Sequence, residues 1–162
     1  MASATALKLS VSSVIAADPA TLYGLISDVT RMPEYSPETV KVSWTDKSAT
    51  PHVGATFKGV NKLGFLSWST KPTVTVAEPG RQFAFKVPGH AGPTWTYTFE
   101  PVAGGTRVTE SIEQSKPSPA VIRFMQRRAG VSDRAANLRS AMTTTLQRLA
   151  EVAATDAATV AA

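Results

Sequence analysis

Residues 93–115, PTWTYTFEPVAGGTRVTESIEQS, have the residue pattern of a β-hairpin. Trp95, Tyr97 and Phe99 alternate with threonines, which is the period of a strand with one buried face. The glycine pair at 104–105 supplies the positive φ values that a tight hairpin turn requires. We therefore predict two antiparallel strands that share one apolar inner face.

The return strand of this hairpin carries a carboxylate on its apolar side. Glu110 shares the alternation of Val108 and Ile112, so it faces inward if they do. A one-residue bulge would instead turn Glu110 outward. An inward carboxylate must find hydrogen-bond donors or a cation such as Arg107 or Lys86, or it must stay protonated through a raised pKa. A functional acid and a charge paired for structural reasons therefore both remain open.

Outward from the hairpin, most of the chain is predicted to be β-structure. Residues 7–16 read as a first strand rich in β-branched side chains, and Asp18-Pro19 begins a short amphipathic helix as N-cap and first helical residue. A second short helical turn follows in TRMPEYSPETV. Residues 38–116 then hold six strands joined by short connections, which is typical of an antiparallel meander. Pro72 lies inside the longest of them and predicts a bulge or an edge.

The C-terminal part is predicted to be helical. Ser118 and Pro119 begin a helix, Gly130 interrupts it, and Asp133 or its neighbour restarts it. The restarted helix carries an apolar stripe to pack on the sheet: Leu138, Met142, Leu146 and Leu149. The low-complexity residues 152–162 are expected to fray.

Composition is that of a single soluble domain. The 162 residues fit one domain, with a core over about residues 7–150, and they are 43% hydrophobic and 18% charged. Cysteine is absent, which excludes disulfides, thiolate nucleophiles and cysteine metal sites. The N-terminus lacks the pattern of a secretory signal, and we expect a cytoplasmic protein.

The net charge of +5 is concentrated in the C-terminal part. Residues 119–150 hold six arginines and one aspartate. The arginines are Arg123, Arg127, Arg128, Arg134, Arg139 and Arg148. Such a segment fits a nucleic-acid or anionic-lipid surface, or simply the solvated face of an amphipathic helix. The solvated face is favoured because aromatic or glycine residues do not alternate with the arginines, as they do in many nucleic-acid-binding segments. We therefore expect Arg134, Arg139 and Arg148 to be exposed.

Four stretches carry a resemblance to a known superfamily: AADPATLYGLISDVTRMPEYSP, GATFKGVNKLG, SWST with TVTVAEPGRQFAF, and GGTRVTES. They resemble the START-like superfamily, also called SRPBCC or birch-pollen-allergen-like, and are most similar to its actinobacterial polyketide cyclase/dehydrase-type members. The resemblance implies an α+β helix-grip fold. Its curved, seven-stranded antiparallel sheet wraps a long C-terminal helix, two short helices follow the first strand, and an apolar ligand cavity lies between sheet and helix.

In such a fold the inner face of the sheet is also the cavity wall. Candidate ligand-pocket residues are therefore large apolar or polar side chains on inward phases: Tyr35, Phe57, Asn61, Trp68, Phe83, Phe85, Trp95, Tyr97, Phe99, Glu110, Ile112, Leu138 and Met142. If the protein is an enzyme, Glu110 and Tyr97 are the candidate catalytic residues. His52 and His90 lie in loops, so we expect neither a metal site nor a histidine triad, and no cofactor.

Three functions remain open, because members of this superfamily include carriers, metabolite binders, chaperone activators and cofactor-free cyclases. The first is a carrier or sensor for a hydrophobic lipid, polyketide or aromatic metabolite. The second is a cofactor-free polyketide cyclase or dehydratase. The third is an interaction module that uses its basic helix. The expected partner is a hydrophobic small molecule, with peripheral membrane contact still open, nucleic acid not favoured, and the chain either a monomer or a homodimer.

Overall fold

The computed structural model describes residues 6–46 and 50–162 and has the expected α+β architecture. Its strands are β1 (Leu7–Ile15), β2 (Thr39–Trp44), β3 (Phe57–Leu63), β4 (Leu66–Thr70), β5 (Thr73–Glu78), β6 (Gln82–Lys86), β7 (Thr94–Val102) and β8 (Gly105–Gln114). Its helices are α1 (Pro19–Ser27), α2 (Met32–Tyr35), α3 (Ala120–Arg128) and α4 (Arg134–Ala161), with a 3-10 turn at Val29–Arg31.

The described residues form eight strands rather than the predicted seven, in two antiparallel sheets. The larger sheet has the order β1-β8-β7-β6-β5 and the smaller has the order β2-β3-β4. An isolated bridge between Thr56 and Thr73 links them. The segment predicted as one long strand is divided at Pro72, which has no N–H for a ladder bond. Its carbonyl instead accepts a hydrogen bond from the Phe57 amide at 3.2 Å, and the chain passes there from one sheet to the other.

The hairpin of β7 and β8 forms with the predicted alternation of inward-facing and outward-facing residues. Its register runs without a bulge from Thr94 opposite Glu113 to Val102 opposite Gly105. Glu110 lies directly opposite Tyr97 on β7 and Val11 on β1. Its side chain is only 3% exposed, so Glu110 faces the interior.

The first helix begins as its sequence predicts. The Asp18 carboxylate accepts a hydrogen bond from the Thr21 amide at 2.8 Å, and Pro19 is the first helical residue. Leu22, Leu25 and Ile26 are buried. α1 packs on β6 and β7 and so closes one end of the larger sheet.

Helix α4 packs on β1 and β8 and continues beyond its predicted end. Residues 152–161 are helical rather than frayed. Their alanine-rich composition favours helix, Ala153 is buried in the core, and the Asp156 carboxylate pairs with the Arg31 guanidinium at 2.7 Å. Ser118 does not cap α3, which begins at Ala120 without a side-chain cap.

Candidate functional site

A cavity of about 430 Å³ lies between the inner faces of both sheets and helices α3 and α4. Its wall is mostly apolar, with a few polar side chains among aromatic and aliphatic ones. The structure brings together most of the pocket residues proposed from the sequence in this wall: Phe57, Asn61, Trp68, Phe85, Trp95, Tyr97, Glu110, Ile112, Leu138 and Met142. The strand phases therefore place these side chains around one space.

Three residues of the proposed pocket lie outside the cavity wall, in the solid core. Phe83 and Phe99 make edge contacts with the ring of Tyr23 on α1, at centroid distances of 6.2 and 5.9 Å. Tyr35 is buried on α2. Phe83 and Phe99 share the inward phase of their strands, but they lie toward the end of the sheet that α1 covers.

Glu110 is the most deeply buried carboxyl group of the cavity wall. The Tyr97 hydroxyl donates a hydrogen bond to its Oε1 at 2.8 Å. Its Oε2 has no hydrogen-bond partner among the residues that the structure describes. Arg107, one proposed partner, lies on the opposite face of the sheet and pairs with Glu100 at 2.9 Å, while Lys86 is exposed.

Burial controls the charge of this carboxyl group. Loss of hydration raises the pKa of Glu110 to about 8, and the hydrogen bond from Tyr97 lowers it only in part. Burial and the neighbouring Glu110 carboxyl also raise the pKa values of Tyr97 and Tyr35. At neutral pH the group is therefore mainly a carboxylic acid beside neutral phenols, with a proton to donate.

Asn61 supplies a second polar point on the wall formed by the smaller sheet. The Ser36 hydroxyl hydrogen-bonds to the Thr39 hydroxyl at 3.1 Å, and the Thr39 hydroxyl donates to Asn61 Oδ1 at 2.9 Å. The hydrogen bond from Thr39 identifies the oxygen end of the Asn61 amide, and the amide nitrogen at the other end carries two hydrogens to donate. The wall thus presents hydrogen-bond donors from two different sheets.

Arg134 lines the cavity, although its helix phase predicted an exposed side chain. Its guanidinium binds both oxygens of Glu38, at 2.6 and 3.0 Å, and the pair is only partly exposed. Arg139 and Arg148 are exposed as predicted. Glu38 precedes Arg134 by 96 positions, and nothing in the sequence near either residue indicates that the two would pair.

Helix α3 is one part of the cavity wall that the sequence did not indicate. Its Ile122, Met125 and Gln126 line the cavity. These positions are spaced as one face of a helix, but α3 has no buried residue. We therefore interpret α3 as a helix that covers the cavity and not as a helix of the core.

The described residues do not place histidine or metal chemistry in the cavity wall. His52 and His90 are exposed and do not line the cavity. Residues 6–46 and 50–162 contain no group of three side chains placed to hold a metal ion. No helix within the same ranges is long and apolar enough to cross a membrane.

Residues 6–154 match the sequence profile of the family described as "Polyketide cyclase / dehydrase and lipid transport". The chain belongs to this polyketide cyclase/dehydrase and lipid transport family. The match spans both sheets and most of α4, and it confirms the START-like resemblance. No functionally curated protein matches the chain.

Solved structures share the fold of this family member. The polyketide cyclase-like protein Cgl2372 of Corynebacterium glutamicum is 34% identical, with a TM-score of 0.50 over 97% of this chain and 89% of that one. The di-domain aromatase/cyclase StfQ of the steffimycin biosynthetic pathway is 15% identical, with a TM-score of 0.73 over 95% of this chain and 52% of that one. Major latex-like protein 151 of Panax ginseng is 15% identical, with a TM-score of 0.68 over 91% and 97%.

Proposed function

We propose that the protein binds a neutral, mainly apolar small molecule whose carbonyl or other acceptor oxygen accepts a hydrogen bond from Glu110. The observation that carries this proposal is a buried carboxyl group with one unpaired oxygen in an apolar cavity. A cavity of about 430 Å³ falls in the usual range for small-molecule sites. Ligand binding is thus the function that this geometry supports best.

The hydrogen bonds of Glu110 select the chemistry of the ligand. Tyr97 donates to Oε1, so the carboxylic proton belongs on Oε2, whose partner is missing. Leaving a buried donor unpaired costs about 1–3 kcal/mol. A ligand that brings an acceptor oxygen to Oε2 recovers this energy, while a pure hydrocarbon does not.

The family description supports the same choice of ligand. It covers polyketide cyclases, dehydrases and lipid transport, and polyketides and many lipids are largely apolar molecules that carry carbonyl oxygens. The amide donors of Asn61 provide a second point of attachment, from the opposite sheet. A polyketide, a lipid ester or an aromatic ketone fits both donors and the apolar wall between them.

Nile red, a neutral dye with a carbonyl oxygen, tests the binding proposal. We expect the wild-type protein to bind it, with about tenfold weaker binding as the pH rises through about 8, because ionised Glu110 no longer donates and one hydrogen bond is worth about 1–1.5 kcal/mol. Glu110→Gln keeps an N–H donor at every pH, so its affinity should not change over that range. Fluorescence titration measures both proteins.

Glu100→Gln is the matched control, since Glu100 is an exposed carboxylate on the neighbouring strand. This variant should keep the wild-type pH dependence. Wild-type affinity that does not change with pH would contradict the role of Glu110, and failure of the dye to bind would contradict the cavity site. Native mass spectrometry of freshly purified protein then identifies any ligand that copurifies.

A cofactor-free cyclase is the second candidate, and one observation favours it. The pKa of Glu110 is raised to about 8, which is close to the pH at which a general acid or base must exchange protons. Tyr97 lies within hydrogen-bond distance of Glu110 and also faces the cavity. The pair is placed to donate a proton to a ketone oxygen or to accept one from an adjacent carbon.

The variant Glu110→Gln distinguishes a cyclase from a protein that only binds the ligand. With a linear polyketone as substrate, a cyclase should lose at least about 10²-fold of its turnover, because the amide cannot transfer a proton, while Nile red still binds. Product formation followed by liquid chromatography measures this. If the wild-type protein binds the polyketone but converts none of it, the carrier function stands and the cyclase function does not.

A further inference from the structure

The outward side of α3 exposes apolar and basic side chains together. Phe124 is 63% exposed and Val121 is 61% exposed, although a cavity-lining helix would normally bury such residues. Arg123, Arg127 and Arg128 are exposed beside them. With Ile122 and Gln126 turned toward the cavity, the 100° helical step places Phe124 among the three arginines on the opposite side.

The turn between β3 and β4 extends this surface. Phe65 at its tip is 70% exposed, the largest exposed fraction among the aromatic side chains of the described residues. The preceding Gly64 packs against the end of α3, where a side-chain carbon at position 64 would lie 3.3 Å from the Ala129 carbonyl oxygen. The hairpin tip and α3 therefore form one continuous surface, the basic apolar face: Phe65, Val121, Arg123, Phe124, Arg127 and Arg128.

Charge is strongly asymmetric around this face. Residues 57–71 and 115–132, which contain α3 and the β3–β4 hairpin, hold seven of the 17 basic residues and none of the 12 acidic ones. The rest of the chain, with ten basic and 12 acidic residues, carries a net charge of −2. A surface of this kind attracts anions, and no carboxylate within these two segments neutralises it.

We propose that the basic apolar face docks onto an anionic lipid membrane. Arginines at a membrane surface gain about 1 kcal/mol each from anionic headgroups, and exposed phenylalanines insert at the boundary between headgroups and acyl chains. Nucleic acid matches the arginines, but it leaves Phe65 and Val121 in water. Charge and apolar exposure together therefore point to a membrane.

The inward side of α3 connects the docking surface with the cavity. Ile122 and Met125 line the cavity from the same helix that carries Phe124 outward. Docking places the cavity cover against lipid, with α3 as the only described helix between them on that side. The docking itself does not depend on which molecule the cavity binds.

Sedimentation with lipid vesicles tests the proposal. We expect the wild-type protein to bind phosphatidylcholine vesicles that contain phosphatidylglycerol, and not vesicles of phosphatidylcholine alone. Binding should weaken as NaCl rises from about 0.1 to about 1 M, because the Debye length falls from about 10 to about 3 Å. The triple variant Arg123→Gln/Arg127→Gln/Arg128→Gln should bind on the order of 100-fold more weakly.

Two control variants make the result specific to this face. Arg81→Gln/Arg139→Gln/Arg148→Gln removes the same charge from exposed positions elsewhere and should bind clearly better than the first triple variant. Phe65→Ala/Phe124→Ala should bind about tenfold more weakly, while Val14→Ala/Val160→Ala, also at exposed positions, should bind as the wild type. Circular dichroism checks that each variant folds.

Three outcomes would overturn the proposal. Equal binding by the two arginine variants would show that net charge alone attracts the vesicles. Equal binding to vesicles with and without phosphatidylglycerol would show that the arginines do not contribute to binding. Binding to a DNA duplex without binding to anionic vesicles would make nucleic acid the partner instead.

Discussion

Glu110→Gln is expected to raise the free energy of unfolding at pH 8 and above by several kcal/mol, and to leave it nearly unchanged at pH 4. The physical reason is the difference in pKa between the two states of the chain. In the unfolded protein Glu110 ionises near its ordinary value of 4.5, whereas burial holds the pKa at about 8 in the folded protein. Between these values the unfolded chain loses a proton that the folded chain keeps.

The direction of the effect follows from that difference. Below about pH 4 both states are protonated, so the neutral carboxyl does not oppose folding. As the pH rises from 4.5 to about 8, the stability of the wild type falls by about 1.4 kcal/mol per pH unit, and it levels off above that interval. The amide introduced by Glu110→Gln does not titrate, so the variant lacks this loss, which totals on the order of 5 kcal/mol.

Urea unfolding at a series of pH values measures this prediction as the difference between variant and wild type, which removes the titration of the other groups. Glu100→Gln is the control, because Glu100 is exposed and should leave the pH dependence nearly as it is in the wild type. Parallel curves for Glu110→Gln and the wild type from pH 4 to pH 9 would contradict the prediction. They would mean that a cation or water keeps Glu110 ionised in the folded protein.

Gly105→Ala is expected to lower the free energy of unfolding by about 3 kcal/mol or more, whereas Gly104→Ala at the neighbouring position should lower it by about 1 kcal/mol. Gly105 has a φ of 142°, which side chains rarely adopt. A Cβ at this position would also lie 2.0 Å from the Ile15 carbonyl oxygen. Backbone must therefore move at the point where β8 begins beside the end of β1.

Gly104 separates the two causes of this loss. Its φ is 89°, but a Cβ there would meet nothing within 4 Å, so Gly104→Ala tests backbone strain alone. Urea or thermal unfolding of both variants measures the difference. Equal losses would contradict the prediction, because they would show that the hairpin end relaxes enough to remove the contact with Ile15.

The strand pattern predicted which face a residue occupies better than it predicted its place along the strand. Phe83 and Phe85 have the same phase on β6, yet only Phe85 lines the cavity. Phe83 contacts Tyr23 of α1 instead. Alternation reports the side of the sheet and nothing about which helix covers each part of it, since that depends on contacts between elements distant in sequence.

Arg134 and the end of α4 show the same limit for helices. The helical period correctly predicted that Leu138 and Met142 are buried, because one face of the helix must meet the sheet. It could not show that Arg134 would meet Glu38, 96 positions earlier, or that Asp156 would meet Arg31, 125 positions earlier. Both side chains are held by partners that only folding brings near.

The sequence alone predicted the face of β8 that Glu110 occupies, because a two-residue period joins it to Val108 and Ile112. The structure excluded the alternative of a bulge, since the register of β7 and β8 is continuous. The chemical state of the carboxyl group could not be read in the same way. Burial in the folded chain raises its pKa, and the hydrogen bond from the Tyr97 hydroxyl lowers it only in part. Hydration and charge are properties of the surroundings, and these surroundings come from every part of the folded chain.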